Sequence, residues 1–242
     1  MKRAVVLVAL VMAFGSAAAQ ADEQAIRKML KAKLPDAKVL SVKKLPYAGL
    51  HEVAVHQADS PRVFYTDGEA RVILVGANLI ETTSGRSLTE ERLRQLASID
   101  WSTLPFQWAL TTRRGSGRRE IAIFSDPNCP FCRTFERELA QVEDITVHIF
   151  MYPVIKPESV QQSKSVWCSK DRAKAWNDLM LRDIQPTAPT ECQNPINQLV
   201  AAGKKLDAKS TPTWFLRTGE KYQGALPMST VVPLLDAAAR GR

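Results

Sequence analysis

The stretch from Ile121 to Glu136 constrains the fold of this chain more than any other. Its first four residues, Ile121–Phe124, form an apolar run that is typical of a buried strand. Turn-forming residues follow, and Cys129 and Cys132 then lead into a segment with helical spacing of apolar residues. Pro130 suits the first turn of a helix, where its missing N–H costs no hydrogen bond. The sequence therefore predicts a buried strand that turns into a helix, with both cysteines at the junction.

This pair of cysteines favours dithiol redox chemistry. The start of a helix carries unpaired N–H groups and a partial positive charge, which stabilise a thiolate and lower the pKa of a cysteine placed there. We expect Cys129 to be the more exposed thiol and the nucleophile. Cys132, one turn further along the helix, could attack a mixed disulfide on Cys129 and release the product. Such exchange requires no metal and no organic cofactor.

The N-terminus, residues 1–21, has the composition of a secretory signal peptide. Lys2 and Arg3 precede an apolar run that is too short to span a bilayer comfortably, and Ala19–Ala21 fits an A-x-A cleavage site. We predict cleavage near Ala21, with an uncleaved N-terminal anchor as the alternative. No later segment of the sequence is apolar enough to cross a membrane.

The charge of the chain gives little reason to expect a nucleic-acid partner. The formal net charge of +8 at pH 7 is a moderate basic excess, which bears on solubility and weak steering. The densest basic cluster surrounds residues 115–117 and has no aromatic ladder on which bases could stack. We interpret this cluster as a solvated turn and expect no nucleic acid to bind.

The four cysteines all lie in the second half of the chain. Export would place them where disulfides persist, and four cysteines allow three pairings. We favour the local pair of Cys129 with Cys132, together with Cys168 and Cys192 as a second pair. The first pair would be redox-active, and the second would be a structural disulfide that closes a loop.

Residues 22–81 predict a small α+β domain. Apolar residues at helical spacing predict a helix from Asp22 to Leu34, which Pro35 ends. Turn signals separate four candidate strands: Val39–Leu45, His51–His56, Arg62–Tyr65 and Arg71–Val75. This segment has no cysteine and no cluster of catalytic residue types. We interpret it as an association domain whose exposed strand edge could pair with a second copy.

Residues 82–105 predict a linker, and residues 106–242 predict a second domain. Ser87–Glu90 matches a capping box at the start of a short helix within the linker. In the second domain, the pattern of apolar residues predicts strands at Gln107–Thr112, Glu120–Phe124, Ile145–Met151, Trp214–Arg217 and Tyr222–Gln223. It predicts helices at Cys129–Val142, Ser159–Arg182 (with a break near Cys168), Asn194–Leu206 and Ser229–Ala239.

This order of elements is that of a thioredoxin-type fold with an extra helical insertion. A CxxC motif alone is a weak signal. The combination is specific, because the CxxC lies at a strand-to-helix turn and Thr211–Pro212 introduces a later apolar strand that a helix follows.

The whole chain resembles the bacterial periplasmic DsbC/DsbG family of disulfide isomerases. The resemblance rests on the run Phe124–Cys132, on Ser210–Pro212, and on the cysteine pair 168 and 192 inside the helical insertion. It implies an α+β protein with a thioredoxin-like C-terminal domain. A helix would link that domain to a small, cystatin-like N-terminal dimerisation domain. It also implies a periplasmic location and a homodimer in which the two CxxC sites face a shared cleft.

The resemblance also implies roles for residues around the cysteines. Pro212 would follow a cis peptide bond, and the backbone of Thr211 would pair with an extended substrate segment. Pro130 and Phe131, between the cysteines, would also contact substrate. This dipeptide departs from the family, because the DsbC type usually has Gly-Tyr there and DsbG has Pro-Tyr. Asp126 lies close to the cysteines in the sequence. We expect it to have a turn or helix-capping role, with assistance in proton transfer as the alternative.

Together these observations predict a protein disulfide isomerase and reductase. It would reshuffle wrong disulfides in misfolded or mis-oxidised exported proteins, and the resemblance implies re-reduction by a membrane reductant of the DsbD type. The nearest alternatives are a DsbG-like reductase of sulfenylated cysteines and a net dithiol oxidant. Two alternatives of other classes are a structural zinc site made by all four cysteines and a non-catalytic chaperone or binding module.

Overall fold

A computed structural model describes residues 20, 22–58 and 60–241. The chain divides into two compact units, with the boundary between Ala97 and Ser98. Each unit is described by itself. The predicted signal peptide lies, apart from residue 20, outside the described residues. Within the described part of the chain, no helix has both the length and the apolar character needed to cross a bilayer.

The first unit is a helix packed on an antiparallel sheet. Helix α1 spans residues 22–33. The sheet has the order β1-β2-β3-β4, with strands at Lys38–Lys44, Leu50–Gln57, Ser60–Asp67 and Ile73–Val75. Ile26 and Leu30 of α1 are buried against Val53, Val55 and Phe64 of the two central strands. The predicted helix and all four predicted strands are therefore present, within a few residues at their ends.

A second helix covers the other face of this sheet. Strands β5 (Ile80–Glu81) and β6 (Arg86–Ser87) form a short ribbon that leads into α2 (Leu88–Leu96). Ser87 caps the helix by accepting a hydrogen bond from the N–H of Glu90, as the capping-box pattern predicts. Leu93 and Leu96 pack against the buried cluster of Ala54, Val63 and Tyr65. The helix of the predicted linker thus contributes to the core of the first unit, and the domain and linker boundaries stay predictions.

The second unit is built on a five-stranded mixed sheet in the order β11-β10-β8-β9-β7. Strands β8 and β9 run parallel, and the other neighbours are antiparallel. The strands are β7 (Leu110–Arg113), β8 (Arg119–Ser125), β9 (Ile145–Met151), β10 (Thr213–Leu216) and β11 (Lys221–Gln223). The helices are α3 (Pro130–Leu139), α4 (Pro157–Cys168), α5 (Arg172–Arg182), α6 (Ile196–Lys205) and α7 (Met228–Ala239).

The central strand β8 owes its position to its apolar run. Ile121–Phe124 has no exposed surface, because the sheet lies between layers of helices. Phe135 and Leu139 turn the apolar face of α3 into the same core. The sequence predicted that α3 continues to Val142, but the helix ends at Leu139. The guanidinium of Arg114 donates hydrogen bonds to the carbonyl oxygens of Leu139 and Val142, which satisfies backbone groups after the last turn.

Candidate active site

The two cysteines lie where β8 turns into α3. Cys129 is the N-cap residue of the helix, with extended backbone angles, and Pro130 occupies the first helical turn. The backbone N–H of Cys132 points at Cys129, with 3.4 Å between that nitrogen and Sγ. Both cysteines are free thiols. The sulfur of Cys129 therefore takes the place that a serine or aspartate oxygen takes in an ordinary N-cap.

The loop before β10 lies directly against Cys129. The Thr211–Pro212 peptide bond is cis. The thiol of Cys129 donates a hydrogen bond to the backbone oxygen of Thr211, with 3.2 Å between sulfur and oxygen. This contact follows from the sheet register, because Thr213 of β10 pairs with Phe124 of β8 and so carries the loop to the end of β8.

The two thiols have opposite acid–base properties. The pKa of Cys129 is lowered from 9.0 to about 5. A hydrogen bond from the Cys132 thiol makes the largest contribution, and the Thr211 hydroxyl and the amide N–H groups of Cys132 and Phe131 add to it against the effect of burial. Burial raises the pKa of Cys132, and its hydrogen bond to Cys129 raises it further. Cys129 is 3% exposed and Cys132 has no exposed surface. The pair thus combines a thiolate at neutral pH with a protonated thiol behind it.

Asp126 holds the loop that leads to the cysteines. Its Oδ1 accepts hydrogen bonds from the N–H of Asn128 and the hydroxyl of Ser159, at 2.7 and 2.8 Å. Its Oδ2 accepts from the N–H groups of Val154 and Ile155, at 2.6 and 2.8 Å. The carboxylate is fully buried, and both its oxygens are occupied by these four donors. The geometry favours the turn role for Asp126 and leaves proton transfer to other groups.

The residues between the cysteines face solvent. Phe131 is 67% exposed, although an aromatic side chain normally prefers burial. Pro130 is also exposed. Val154 and Ile155, whose N–H groups bind Asp126, are exposed as well. Apolar side chains are thus displayed around the entrance to a site whose sulfur atoms are buried.

Arg133 links the active-site helix to α5. Its guanidinium donates a hydrogen bond to the backbone oxygen of Pro127, at 2.8 Å, and pairs with the carboxylate of Asp183 at 2.6 Å. Asp183 is the left-handed C-cap residue of α5. Arg133 therefore ties together the turn before Cys129 and the end of α5.

Glu136 is a buried acid that the sequence analysis did not single out. Its carboxylate accepts hydrogen bonds from the Ser125 hydroxyl and from the indole N–H of Trp176, at 2.5 and 2.7 Å. Burial raises the pKa of Glu136 to about 7, although both hydrogen bonds oppose this shift. One signal was present in the sequence: Glu136 follows Phe135 and precedes Leu139, so the apolar face of α3 contains an acid one turn after Cys132.

The other two cysteines are bonded to each other. The disulfide joins Cys168, the last residue of α4, to Cys192 in the loop before α6, with 5.8 Å between the Cα atoms. This bond leaves only Cys129 and Cys132 as free thiols, so the four cysteines do not form a shared zinc site. Across the described residues, no group of three or more His, Cys, Asp or Glu side chains is arranged to hold a metal ion.

Comparison with known proteins identifies the family. Residues 106–239 match the thioredoxin-like domain family, and residues 17–90 match the disulfide bond isomerase protein N-terminal domain family. A probable thiol:disulfide interchange protein DsbC from Bordetella pertussis is 35% identical over 209 residues, which cover 86% of this chain and 71% of that protein. This chain belongs to the DsbC family.

Two further relatives agree with this assignment. The thiol:disulfide interchange protein DsbC of Escherichia coli is 26% identical over 242 residues, which cover 98% of this chain and 96% of that protein. A disulfide interchange protein from Neisseria gonorrhoeae has a crystal structure that superposes with a TM-score of 0.54 at 32% identity. The match covers 56% of this chain and 99% of that one.

Family membership confirms the predicted fold class, with its thioredoxin-like domain and DsbC-type N-terminal domain. It also identifies this chain as a DsbC-like thiol–disulfide oxidoreductase. The structure gathers the cysteines of the CxxC motif, the Pro130–Phe131 dipeptide and the Thr211–Pro212 loop at one end of β8. The Cys168–Cys192 disulfide lies in the helical insertion.

Proposed function

We propose that this protein reshuffles wrong disulfides in exported proteins, with Cys129 as nucleophile and Cys132 as resolving thiol. The observation that carries this proposal is the difference in acid–base behaviour between the two thiols. Cys129 has a pKa of about 5 and is a thiolate at pH 7, whereas burial keeps Cys132 protonated. A thiolate attacks disulfides, and a sulfur of low pKa also leaves a mixed disulfide readily.

Isomerisation transfers no net electrons. The Cys129 thiolate attacks one sulfur of a substrate disulfide, forms a mixed disulfide, and expels the other substrate sulfur as a thiolate. That thiolate attacks a second substrate disulfide, and a later substrate thiolate attacks the mixed disulfide and expels Cys129 unchanged. When the substrate stalls, Cys132 attacks the mixed disulfide instead. The substrate then leaves reduced, and the enzyme is left with a Cys129–Cys132 disulfide.

The cis-proline loop supports a specific mode of substrate binding. When Cys129 is protonated, its thiol donates to the backbone oxygen of Thr211. Once Cys129 has bonded to a substrate sulfur, that oxygen is released to accept a backbone N–H from an extended substrate segment, as an added strand would supply. The exposed ring of Phe131 offers the substrate an apolar contact beside the reacting sulfur.

We further propose that the protein acts in the periplasm as a homodimer. The last strand of the N-terminal sheet, β4, lies at its edge, and Val72, Ile73, Leu74 and Val75 are all exposed there. An exposed, apolar edge strand readily pairs with another chain. The oxidised enzyme would be re-reduced by a membrane reductant of the DsbD type, and misfolded exported proteins would be its substrates.

Recovery of activity from a scrambled multi-disulfide protein in a glutathione buffer tests this function. We expect wild type to restore activity and Cys129→Ser to restore none, with folding of the variant checked by circular dichroism. Rescue by neither protein would refute isomerisation. The reduction potential of the Cys129–Cys132 pair, measured against glutathione, would then separate a net oxidant from a narrower reductase.

A further inference from the structure

The helical insertion contains an open pocket that the thiol chemistry does not use. Its volume of about 300 Å³ is at the lower end of the range for pockets that bind small ligands. The pocket lies where the end of α4 meets the beginnings of α5 and α6, and Trp108 lines it from the segment before β7. None of the residues that line it belongs to the CxxC site.

Arg172 is held in this pocket by two contacts with Trp167. Its Nε donates a hydrogen bond to the backbone oxygen of Trp167 at 2.6 Å, and its Cζ lies 3.9 Å from the centroid of the indole ring. Trp167 is only 9% exposed, so its ring is a fixed wall of the pocket. The two contacts fix the plane of the guanidinium and leave its two terminal nitrogen atoms for another partner.

The described residues provide no acid that neutralises Arg172. No carboxylate among them forms an ion pair with its guanidinium, and no oxygen among them accepts a hydrogen bond from its terminal nitrogen atoms. The neighbouring Asp171 instead caps α5 by accepting from the N–H of Lys174. Arg172 also lies in the first turn of α5, where the positive end of the helix dipole disfavours a cation. An anion from outside the protein would relieve this unbalanced charge.

Two glutamine side chains add polar groups to the pocket. Gln193 and Gln198 line it, and neither amide has a hydrogen-bond partner among the described residues. The loop that carries Gln193 is fixed, because Asn194 donates a hydrogen bond to the backbone oxygen of Cys192 and the Cys168–Cys192 disulfide ties this loop to the end of α4. The walls of the pocket are therefore held in place without a ligand.

We propose that this pocket binds the C-terminal carboxylate of a polypeptide. The guanidinium of Arg172 forms two parallel hydrogen bonds with the carboxylate. A chain terminus carries a peptide group directly beside its carboxylate, and the amides of Gln193 and Gln198 supply both donors and acceptors for that group. The indole rings of Trp108 and Trp167 offer an apolar surface to the last side chain. Because the pocket is open, the rest of the polypeptide extends into solvent.

An NMR titration of the full-length mature protein, labelled with ¹⁵N, tests this proposal. The indole N–H signals of Trp108 and Trp167 report on the pocket, and Trp214 in the buried core is the internal reference. The probe is the peptide N-acetyl-Ala-Ala-Phe with a free carboxylate, and the control is the same peptide with a C-terminal amide. We expect the free acid to shift the two pocket signals, and the amide to bind at least about 10-fold more weakly.

A third peptide separates a chain terminus from an acidic side chain. N-acetyl-Ala-Asp-Phe with a C-terminal amide carries its carboxylate on the side chain, one methylene away from the backbone. We expect it to bind as weakly as the amide control. Equal affinity for this peptide and for the free acid would overturn the assignment to a chain terminus.

Variants of the pocket test the roles of its residues. Arg172→Gln should weaken binding of the free acid at least about 10-fold, and Arg172→Lys should not restore it, because an ammonium group lacks the planar fork. Gln198→Ala changes an exposed residue and leaves the contacts of Trp167 intact, and it should weaken binding several-fold. Lys170→Gln is the matched control, since it removes an exposed cation that does not line the pocket, and binding should be unchanged.

Either of two further results would also overturn the proposal. One is a folded wild-type protein whose Trp108 and Trp167 signals do not respond to the free acid. The other is wild-type affinity for the free acid in both Arg172→Gln and Gln198→Ala. The peptides contain no thiol and no disulfide, so these results are independent of the exchange reactions proposed for Cys129 and Cys132.

Discussion

Removal of the Thr211 hydroxyl tests the origin of the low pKa of Cys129. Thr211 is buried, and among the described residues its hydroxyl has no fixed hydrogen-bond partner. The same hydroxyl lowers the pKa of Cys129, as a hydrogen-bond donor to the thiolate would. Among the groups that lower this pKa, only the Cys132 thiol has a larger effect. Thr211→Val keeps the shape of the side chain and removes only this donor.

The size of the effect follows from the charge on the acceptor. A hydrogen bond to a charged group contributes about 1.5–3 kcal/mol, which corresponds to about one to two pH units. The pKa of Cys129 should therefore rise from about 5 to about 6–7 in Thr211→Val. Because the thiolate stabilises the reduced form, the reduction potential of the pair should fall by about 30–60 mV.

The assay is the pH dependence of alkylation of Cys129 by iodoacetamide, followed by mass spectrometry of the peptide that contains it. Cys132 does not interfere, since burial raises its pKa. Ser210→Ala is the matched control, because it removes an exposed hydroxyl from the same loop. An inflection in Thr211→Val at the wild-type pH would refute the assignment of this hydroxyl as a thiolate donor.

Three further predictions concern stability and assembly. Replacement of both Cys168 and Cys192 by serine should lower the free energy of unfolding by about 3 kcal/mol in urea titrations, because the disulfide closes a loop of 24 residues. Thiol–disulfide exchange by Cys129 and Cys132 should be retained, and its loss in a folded variant would contradict a structural role. Burial raises the pKa of Glu136 from 4.5 to about 7. Between these two pH values the folded state holds a proton that the unfolded chain has lost. The free energy of unfolding should therefore fall by about 3 kcal/mol as the pH rises from 4.5 to about 7. Glu136→Gln should lack this decrease, and equal pH slopes for the two proteins would refute it. Val75→Lys, at an edge position that is 79% exposed, should give a folded monomer in light scattering, and an unchanged mass would place the dimer contact elsewhere.

The sequence predicts the fold where local patterns and tertiary packing agree. Strand β9 is observed at Ile145–Met151, as predicted, because an apolar run buried on the sheet has clear limits. The helical insertion breaks after Cys168, also as predicted. The strand predicted from Gln107 begins instead at Leu110, because Phe106–Trp108 forms a short 3-10 turn. Phe106 of this turn packs against His148 and Phe150, which lie far away in the chain and which a local pattern does not show.

Only part of the candidate site could be predicted from patterns in the sequence. The positions of Cys129 and Cys132 follow from a motif whose geometry is fixed by one strand and one helix, whereas the role of Thr211 was expected from the family resemblance. The role of Asp126 and the burial of Glu136 depend on partners such as Ser159 and Trp176, which lie 33 and 40 residues away in the chain. Periodicity cannot reveal such contacts, so a buried acid could be recognised only as an exception in an apolar face.

Peptide mapping of a trapped mixed disulfide tests the division of labour between the two cysteines most directly. Cys132→Ser, incubated with a reducible multi-disulfide protein, should accumulate a covalent complex, and mass spectrometry should find the substrate on Cys129 alone. Cys129→Ser should trap nothing under the same conditions. A complex joined through any other cysteine, or the absence of a complex with a folded Cys132→Ser protein, would contradict the proposed roles.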